Sequence, residues 1–413
     1  MSLSKKRWLI LGACCFLNLF LGSIYTWSIF AGPMAERLSV LNGREITAGD
    51  LALVYTLCNA VGPIPMITGG WFNDRFGPKK VLFFGGLFFS GGLFLSGLAT
   101  SVAFLLFTYS LLFGLGLGMC YGTTVATAVK FFPDKRGLIG GLTTATYGMS
   151  SFVLPPILTR IIQTYSVTAA FQALGICCLG IILLCTFFIE KAPEGFLPEG
   201  YVPAAVGGDQ GEGDVEWKQM VSTPVFYVML ALLITGTFSG MMFLSQTATI
   251  GTKMMGLSVG DAAGVISVVA LFNTFGRLLA GFVSDRIGRI GTLAIASVVS
   301  FVGMLALFGA GGGNLALFYF GACCVGVCFG GFLAVFPGFT ADQFGAKNNS
   351  VNYGIMFCGV SLGGVLGPTV MRNVYAADQS YLRSFLIAAA INAGGFVFTF
   401  IYRLLKEKPQ EAK

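Results

Sequence analysis

The sequence contains the octapeptide GWFNDRFG at residues 70–77 and repeats it in altered form as GFVSDRIG at residues 281–288. Each copy follows an apolar stretch, and the second copy begins 211 residues after the first. Further landmarks recur at an offset of 212 residues: Phe132, Lys135 and Pro156 recur as Phe344, Lys347 and Pro368. A nearly constant offset through several landmarks indicates that the chain is an internal duplication.

The composition is that of a membrane protein. Of the 413 residues, 55% are hydrophobic and 10% are charged, and the mean hydropathy is +0.81. Soluble domains carry about 25% charged residues, so this chain has too little polar surface to face water. We predict an all-α polytopic membrane protein with twelve transmembrane helices in two pseudo-symmetric six-helix bundles, because each apolar stretch can cross about 30 Å of hydrocarbon. The predicted spans are 8–31, 51–73, 80–100, 103–129, 138–162, 168–189, 224–250, 262–284, 290–310, 314–337, 350–373 and 382–403.

Basic residues cluster in every second connection between these spans. Lys5 and Arg7 precede the first span, Lys79 follows the second, and Arg403 ends the last. This positive-inside pattern predicts that both termini are cytoplasmic, and it accounts for the net charge of +7 without a nucleic-acid partner. The first span begins near Trp8 without a small-residue cleavage site, which predicts a helix and not a removable signal. Together with compact loops, this favours the bacterial inner (plasma) membrane.

One connection differs from the others. Residues 190–223 are rich in Gly, Pro and acidic residues, which is typical of a solvated linker. Six predicted spans lie on each side of it. We therefore predict an N-terminal six-helix bundle at residues 1–189, a cytoplasmic linker at 190–223, and a C-terminal six-helix bundle with a short cytoplasmic tail at 224–413.

The duplicated octapeptide resembles the cytoplasmic signature of the major facilitator superfamily. Two copies in register, each ending a second helix of six, make this resemblance specific. It implies the major facilitator fold and transport by alternating access, in which the two halves rock about a cargo site between them. It also implies that the motif ties helix ends together and helps to hold the outward-facing state. The residues that carry this gating motif here are Gly70, Asp74, Arg75, Gly77, Gly281, Asp285, Arg286 and Gly288.

Other stretches resemble one branch, the oxalate/formate antiporter family, which is related to the monocarboxylate transporters. They are GSIYTWSIF at 22–30, FFPDKRG at 131–137, NYG at 352–354, and FN at 272–273 leading to Arg277. The resemblance spans the whole chain and is weakest in the linker. It implies that the cargo is a small carboxylate.

Arg277 is the charged residue that lies deepest in a predicted span. It precedes Asp285 by eight residues, which places it about 12 Å from the end of its helix. An arginine in mid-bilayer costs at least ~2.5 kcal/mol, so it is expected to face a water-filled path. No acidic residue in another span offers a counter-ion, and a guanidinium binds carboxylates in bidentate fashion. The alternative is a structural arginine capped by backbone carbonyls or reaching to the interface. The resemblance agrees with a substrate-binding arginine at this position.

The remaining candidate substrate-binding residues are Tyr121, Tyr25, Asn59, Asn273 and Phe329. Tyr121 lies at a depth within about 2 Å of that of Arg277 and can donate a hydrogen bond to a carboxylate. The resemblance makes Tyr25 a further contact and Phe329 an aromatic wall. Asn59 is an amide in an apolar run, and Asn273 precedes Arg277 by one turn and is expected to orient it. For each of these residues ordinary helix packing remains the alternative.

Positions where this chain departs from the family pattern restrict the range of possible cargoes. Oxalate-binding members have a lysine seven residues after the tyrosine of their NYG motif, and this chain has Val360 there. Ile24 and Leu333 are apolar where those members have a glutamine and a tyrosine. One cation suits one negative charge, so we predict a monocarboxylate such as pyruvate, lactate or formate. An oxalate/formate-type dicarboxylate exchanger and a transporter-like carboxylate sensor are the alternatives.

The sequence says less about how transport is coupled to other ions and about the partners of the protein. Some monocarboxylate carriers have an aspartate where this chain has Asn273, and the sequence contains no histidine, so a side-chain proton relay is not predicted. Exchange, uniport and co-movement of a proton with the acid stay open. The sequence shows no nucleophile–base pair and no metal-ligand cluster, so we predict no enzyme, no cofactor and no metal. The expected partners are a small organic anion and membrane lipid, with the protein monomeric.

Overall fold

The computed structural model describes residues 3–198, 201 and 213–407, and every regular element in these residues is helical. The prediction of an all-α chain is confirmed. Eleven helical stretches in the described residues are long and apolar enough to cross a membrane, and some of them, such as Ala52–Phe76, join two consecutive helices. The predicted span 138–162 is not among the eleven, although it lies within a helix of 29 residues, Arg136–Thr164. This helix contains two prolines and several threonines and serines, which make it less apolar than the others.

The chain forms two compact units. Unit 1 consists of Met1–Asp134, Thr146–Val202 and Ala346–Ile355. The helices that lie wholly or partly in it are α1 (Leu3–Leu21), α2 (Trp27–Asn42), α3 (Ala52–Val61), α4 (Pro63–Phe76), α5 (Pro78–Ser96), α6 (Val102–Leu105), α7 (Gly114–Phe131), α8 (Arg136–Thr164), α9 (Val167–Phe188) and α16 (Asn349–Met356).

Unit 2 consists of Lys135–Ala145, Pro203–Gly345 and Met356–Lys413, and so contains the first part of α8. Its other helices are α10 (Trp217–Ser222), α11 (Pro224–Leu244), α12 (Thr247–Lys253), α13 (Val259–Ile287), α14 (Arg289–Gly309), α15 (Leu315–Phe344), α17 (Cys358–Asp378) and α18 (Leu382–Glu407). A fully buried apolar cluster forms its core and includes Phe243, Val269, Met304, Phe318 and Phe385. Lipid tails are as apolar as these side chains, so in a membrane such a core stabilises the unit through van der Waals packing and not through removal of apolar surface from water.

The two units do not coincide with the two halves of the sequence, because each unit contains one short segment from the other half. Lys135–Ala145 packs with unit 2, although the rest of α8 belongs to unit 1. Ala346–Ile355 packs with unit 1, although α17, which follows it, belongs to unit 2. The predicted linker is described only at 190–198, 201 and 213–223; its residues 199–200 and 202–212 lie outside the described residues.

Helices in unit 1 are interrupted where the sequence predicts site residues. Between α1 and α2 the chain forms a 3₁₀ segment, Gly22–Thr26, which carries Tyr25. The first residue of α4 is Pro63, whose lack of an N–H separates it from α3 and from Asn59 in the last turns of α3. Broken helices expose backbone groups at membrane depth, which is tolerated where protein or a cavity satisfies them.

Each octapeptide ends at a glycine whose backbone requires that residue. Gly77 has φ 83° and Gly288 has φ 85°, a region that side chains with a Cβ rarely adopt. The next residue in each copy begins the following helix, α5 or α14. The two copies therefore build the same tight connection between consecutive helices.

A candidate carboxylate site and the duplicated gating motif

Arg277 is a buried cation of unit 2. Its side chain is 2% exposed on α13. Its Nε donates to Oδ1 of Asn273 at 2.9 Å, and its Nη1 donates to the backbone carbonyl of Thr144 at 2.6 Å. Among the described residues, no carboxylate lies within ion-pair distance of Arg277. The guanidinium is thus fixed by two neutral acceptors, one of which is a backbone carbonyl, and its positive charge is not balanced by a described acid.

Close backbone approaches hold the turn that carries this arginine. A Cβ added to Gly330 on α15 would overlap the carbonyl oxygen of Asn273 and lie 3.1 Å from Cγ of Arg277. A Cβ on Gly141 would lie 2.5 Å from the carbonyl oxygen of Arg277. The second approach brings the first part of α8, including the Thr144 carbonyl, against α13. Phe329 is buried in the same unit, but its ring packs over Gly240 on α11.

Gly330→Ala is expected to displace the turn between Asn273 and Arg277. The added methyl overlaps a backbone carbonyl, and such overpacking typically costs about 1–3 kcal/mol. Gly331→Ala is the matched control, because its Cβ would meet only the side chain of Ala280 closely, at 3.0 Å. The measurement is the melting temperature of both variants in detergent. A Gly330→Ala protein as stable as the control would contradict the close approach.

In unit 1 three tyrosine rings are in contact. The ring of Tyr147 on α8 lies 4.7 Å from that of Tyr121 on α7 and 5.3 Å from that of Tyr25, measured between centroids. The structure therefore joins two predicted site residues through a third that the sequence analysis missed. The available signal was a hydroxyl-bearing aromatic residue in the middle of an apolar span, the same signal that Tyr121 gave.

Asn59 forms its described hydrogen bond within its own helix. Its side chain is exposed on α3, and its Nδ2 donates to the carbonyl of Tyr55 on the same helix at 2.9 Å. The described interactions thus give Asn59 a bond within its own helix, and no bond to Tyr25 or Tyr121.

The aspartate of the first octapeptide binds the start of a helix from the distant segment of unit 1. Carboxylate oxygens of Asp74 accept from the backbone N–H groups of Ser350, at 3.3 Å, and Val351, at 3.0 Å, in the first turn of α16. Lys130 at the end of α7 forms an ion pair with the same carboxylate. A negative charge at a helix N-terminus satisfies free N–H groups and interacts favourably with the helix dipole. A Cβ on Gly70 would meet the Ser350 backbone, so this contact requires a glycine.

The second octapeptide repeats the arrangement in unit 2. Asp285 accepts from the backbone N–H groups of Gly137 at 2.8 Å and Leu138 at 2.7 Å, at the start of α8. Arg289 donates to Asp285 at 2.6 Å and to Asp342 at 2.7 Å, and Asp342 also pairs with Arg136 at 2.7 Å. Each aspartate therefore caps a segment that the sequence order assigns to the other half of the chain.

The ion-pair networks around the two octapeptides differ in which cations balance the aspartates. The residue that corresponds to Lys130 at an offset of 212 is Asp342, which has the opposite charge. Unit 1 balances Asp74 with one lysine, whereas unit 2 alternates two arginines with two aspartates. The remaining motif arginines form cation–ring contacts: Cζ of Arg75 lies 4.5 Å from the Trp71 ring centroid, and Cζ of Arg286 lies 4.1 Å from that of Phe282.

The chain matches known transporters in sequence. The family model of the Major Facilitator Superfamily matches residues 9–368. The oxalate:formate antiporter of Oxalobacter formigenes is 30% identical over 418 residues, covering 98% of this chain and 96% of that protein. Monocarboxylate transporter 13 of Rattus norvegicus is 25% identical over 368 residues, covering 85% of this chain and 79% of that protein.

Solved structures agree in fold. A crystal structure of the transporter FucP in the outward conformation has a TM-score of 0.72 with this chain at 16% sequence identity, covering 96% of this chain and 99% of that one. At this identity the likeness concerns the fold alone. These two relatives and this structural neighbour are membrane transporters and not enzymes.

Proposed function

Because the chain belongs to the major facilitator superfamily, we propose that it is a secondary active transporter that moves a small monocarboxylate such as pyruvate, lactate or formate by alternating access. One observation carries the proposal: Arg277 is a buried cation whose described partners are neutral. An anionic cargo that binds reversibly would stabilise a buried positive charge in such surroundings.

The hydrogen bonds of Arg277 define how a carboxylate can bind. A guanidinium has five N–H donors. The single donor of Nε is occupied by Asn273, and one donor of Nη1 is occupied by the Thr144 carbonyl. Both donors of Nη2 and one of Nη1 are left for a ligand. A carboxylate that bridges Nη1 and Nη2 would form the charge-assisted pair for which arginine is suited.

The apolar residues of unit 2 favour a ligand with one negative charge. Val360 and Leu333 are both 6% exposed and add no cation or hydroxyl. Neither side chain could balance the second carboxylate of oxalate, and an uncompensated buried charge is costly. We propose that Tyr121, Tyr25 and Asn59 of unit 1 also contact the acid.

Phe329 and Asn273 complete the proposed site in unit 2. Asn273 accepts the Nε–H of Arg277, which is the orienting bond expected of it. Phe329 would contribute an apolar wall. We also propose that the protein lies in the bacterial plasma membrane with both termini in the cytoplasm, as the distribution of basic residues favours.

The test is ligand-dependent thermal stabilisation of the purified protein with a panel of mono- and dicarboxylates. A ligand that binds the folded state raises the free energy of unfolding by mass action, by about 2.7 kcal/mol when its concentration is 100 times its Kd. The melting temperature rises as a result. Short monocarboxylates are expected to stabilise the protein, and oxalate much less. Stronger stabilisation by oxalate would instead support a dicarboxylate exchanger. Binding without flux into proteoliposomes would support a carboxylate sensor.

A further inference from the structure

Unit 1 has an exposed surface of cations and aromatic rings where α4 ends and α5 begins. Cζ of Arg75 lies 4.5 Å from the Trp71 ring centroid, and Nζ of Lys80 lies 5.4 Å from that of Phe76. All four side chains are exposed, and neither cation forms an ion pair with a described acid. A cation over an aromatic ring is held in place but remains open to an anion on its other side.

Lys79 extends this surface towards α9. Its Nζ lies 5.9 Å from the Phe187 ring centroid and donates to the Phe187 carbonyl at 3.3 Å. The nearest acid is Glu190, whose Oε1 is 4.0 Å from Lys79 while its Oε2 is 2.7 Å from Lys6. The hydrogen bond from Lys6 holds the pKa of Glu190 below its ordinary value, so this carboxylate is charged and committed mainly to Lys6. The surface therefore keeps a net positive charge.

We define the basic aromatic surface by its three cations and three rings. They are Arg75, Lys79 and Lys80 with Trp71, Phe76 and Phe187. The surface is a feature of one copy of the duplication. At an offset of 211 residues, Lys79 and Lys80 correspond to Ile290 and Gly291. Because unit 2 builds the same connection without them, the fold of the connection does not require these lysines.

The two lysines also oppose the local helix dipole. They lie in the first turn of α5, which has no acidic residue in that turn and no side-chain cap. Positive charge at a helix N-terminus is unfavourable, because it lies at the positive end of the helix dipole. An external anion near these residues would remove this cost and would also pair with Arg75.

We propose that the basic aromatic surface binds the phosphate headgroup of an anionic phospholipid. The exposed rings are suited to the headgroup level of a bilayer, where aromatic residues are enriched. The exposed Phe83 and Phe84 continue along α5 below the lysines and suit the acyl chains. Cations beside a membrane are attracted to the negative surface potential of anionic lipids. In the proposed orientation the lipid belongs to the cytoplasmic leaflet, since the surface lies beside Lys6 at the start of α1.

The experiment measures binding of phosphatidylglycerol and phosphatidylcholine to the full-length protein by native mass spectrometry and by thermal stabilisation. The test variant is Lys79→Gln/Lys80→Gln. The control is Lys5→Gln/Arg403→Gln, which removes the same charge from exposed positions outside the surface. Wild type and control are expected to bind phosphatidylglycerol more tightly than phosphatidylcholine. The test variant should lose about tenfold of this preference, and the preference should weaken at high salt.

Two outcomes would overturn the proposal. One is a test variant that binds phosphatidylglycerol as tightly as the control. The other is stabilisation of wild type by inorganic phosphate alone at similar concentrations, which would make the surface a site for a soluble anion. The proposal is independent of the cargo, because the test variant keeps Arg277 and should respond to carboxylates as wild type does.

Discussion

Arg277→Lys is expected to lose most carboxylate binding and uptake while the protein stays folded. Lysine keeps the charge but presents one ammonium in place of the Nη1–Nη2 fork, and its shorter chain cannot serve Asn273, Thr144 and a ligand in the same geometry. A hydrogen bond to a charged group contributes about 1.5–3 kcal/mol, so affinity should fall by about tenfold or more. The measurement is uptake into proteoliposomes together with the ligand-dependent shift in melting temperature.

Arg277→Gln separates the proposed site from the scaffold. In the ligand-free protein the buried charge of Arg277 is unfavourable, because no described acid balances it. Replacing Arg277 leaves no described carboxylate without its ion-pair partner, so the usual penalty for removing one member of a buried ion pair does not arise. The melting temperature without ligand is therefore expected to stay near that of wild type or to rise, whereas the response to carboxylates disappears. Arg160→Lys is the control for the first variant, since Arg160 is exposed on α8. Unchanged uptake by Arg277→Lys would refute a carboxylate site at this residue.

The helices could be predicted because apolar runs of membrane length leave few alternatives. The connection at each octapeptide could be predicted too, since a repeated glycine followed by a new apolar run indicates a turn. Interruptions within helices are harder to predict. The 3₁₀ segment Gly22–Thr26 and the π-helical stretch Leu106–Phe113 have no proline, and their course depends on neighbouring helices.

Part of the environment of Arg277 could also be predicted. Asn273 is one turn away on the same helix, so its contact follows from helical periodicity. The carbonyl of Thr144 could not be predicted, because any residue has a carbonyl and this one is 133 positions away in sequence. Tyr147 was missed for a related reason: its partners Tyr121 and Tyr25 lie on other helices, and no local motif marks the contact.

The octapeptide shows how a motif can be recognised before its contacts are known. Asp74 and Asp285 were predicted as members of a gating motif from the resemblance. Their acceptor role towards the first turns of α16 and α8 depends on backbone N–H groups, which carry no sequence signal. The contrast between Lys130 and Asp342 was visible in the sequence. The role of this contrast depends on the structure, in which Lys130 pairs with Asp74 and Asp342 pairs with Arg289.

Removing the charge of either motif aspartate is expected to free only the helix start that it caps. In Asp285→Asn one of the two carboxylate oxygens becomes an NH₂ group, which faces the N–H group of either Gly137 or Leu138, so one acceptor is replaced by a donor. A hydrogen bond to a charged group contributes about 1.5–3 kcal/mol, and loss of the favourable dipole interaction adds to the cost of removing one. Hydrogen exchange at residues 137–141 should accelerate by about tenfold, measured by mass spectrometry of the purified protein.

Asp74→Asn provides the reciprocal experiment within the same chain. It should accelerate exchange at Ser350 and Val351 and leave residues 137–141 unchanged, because each aspartate acts within its own unit. The effect of Asp285→Asn on melting should be the smaller of the two. Arg289 retains Asp342 after that change, whereas Lys130 has no second described carboxylate to pair with when Asp74 is neutral. Equal acceleration of both segments by either variant would mean that the caps are coupled, and exchange unchanged in both would mean that they contribute no stability.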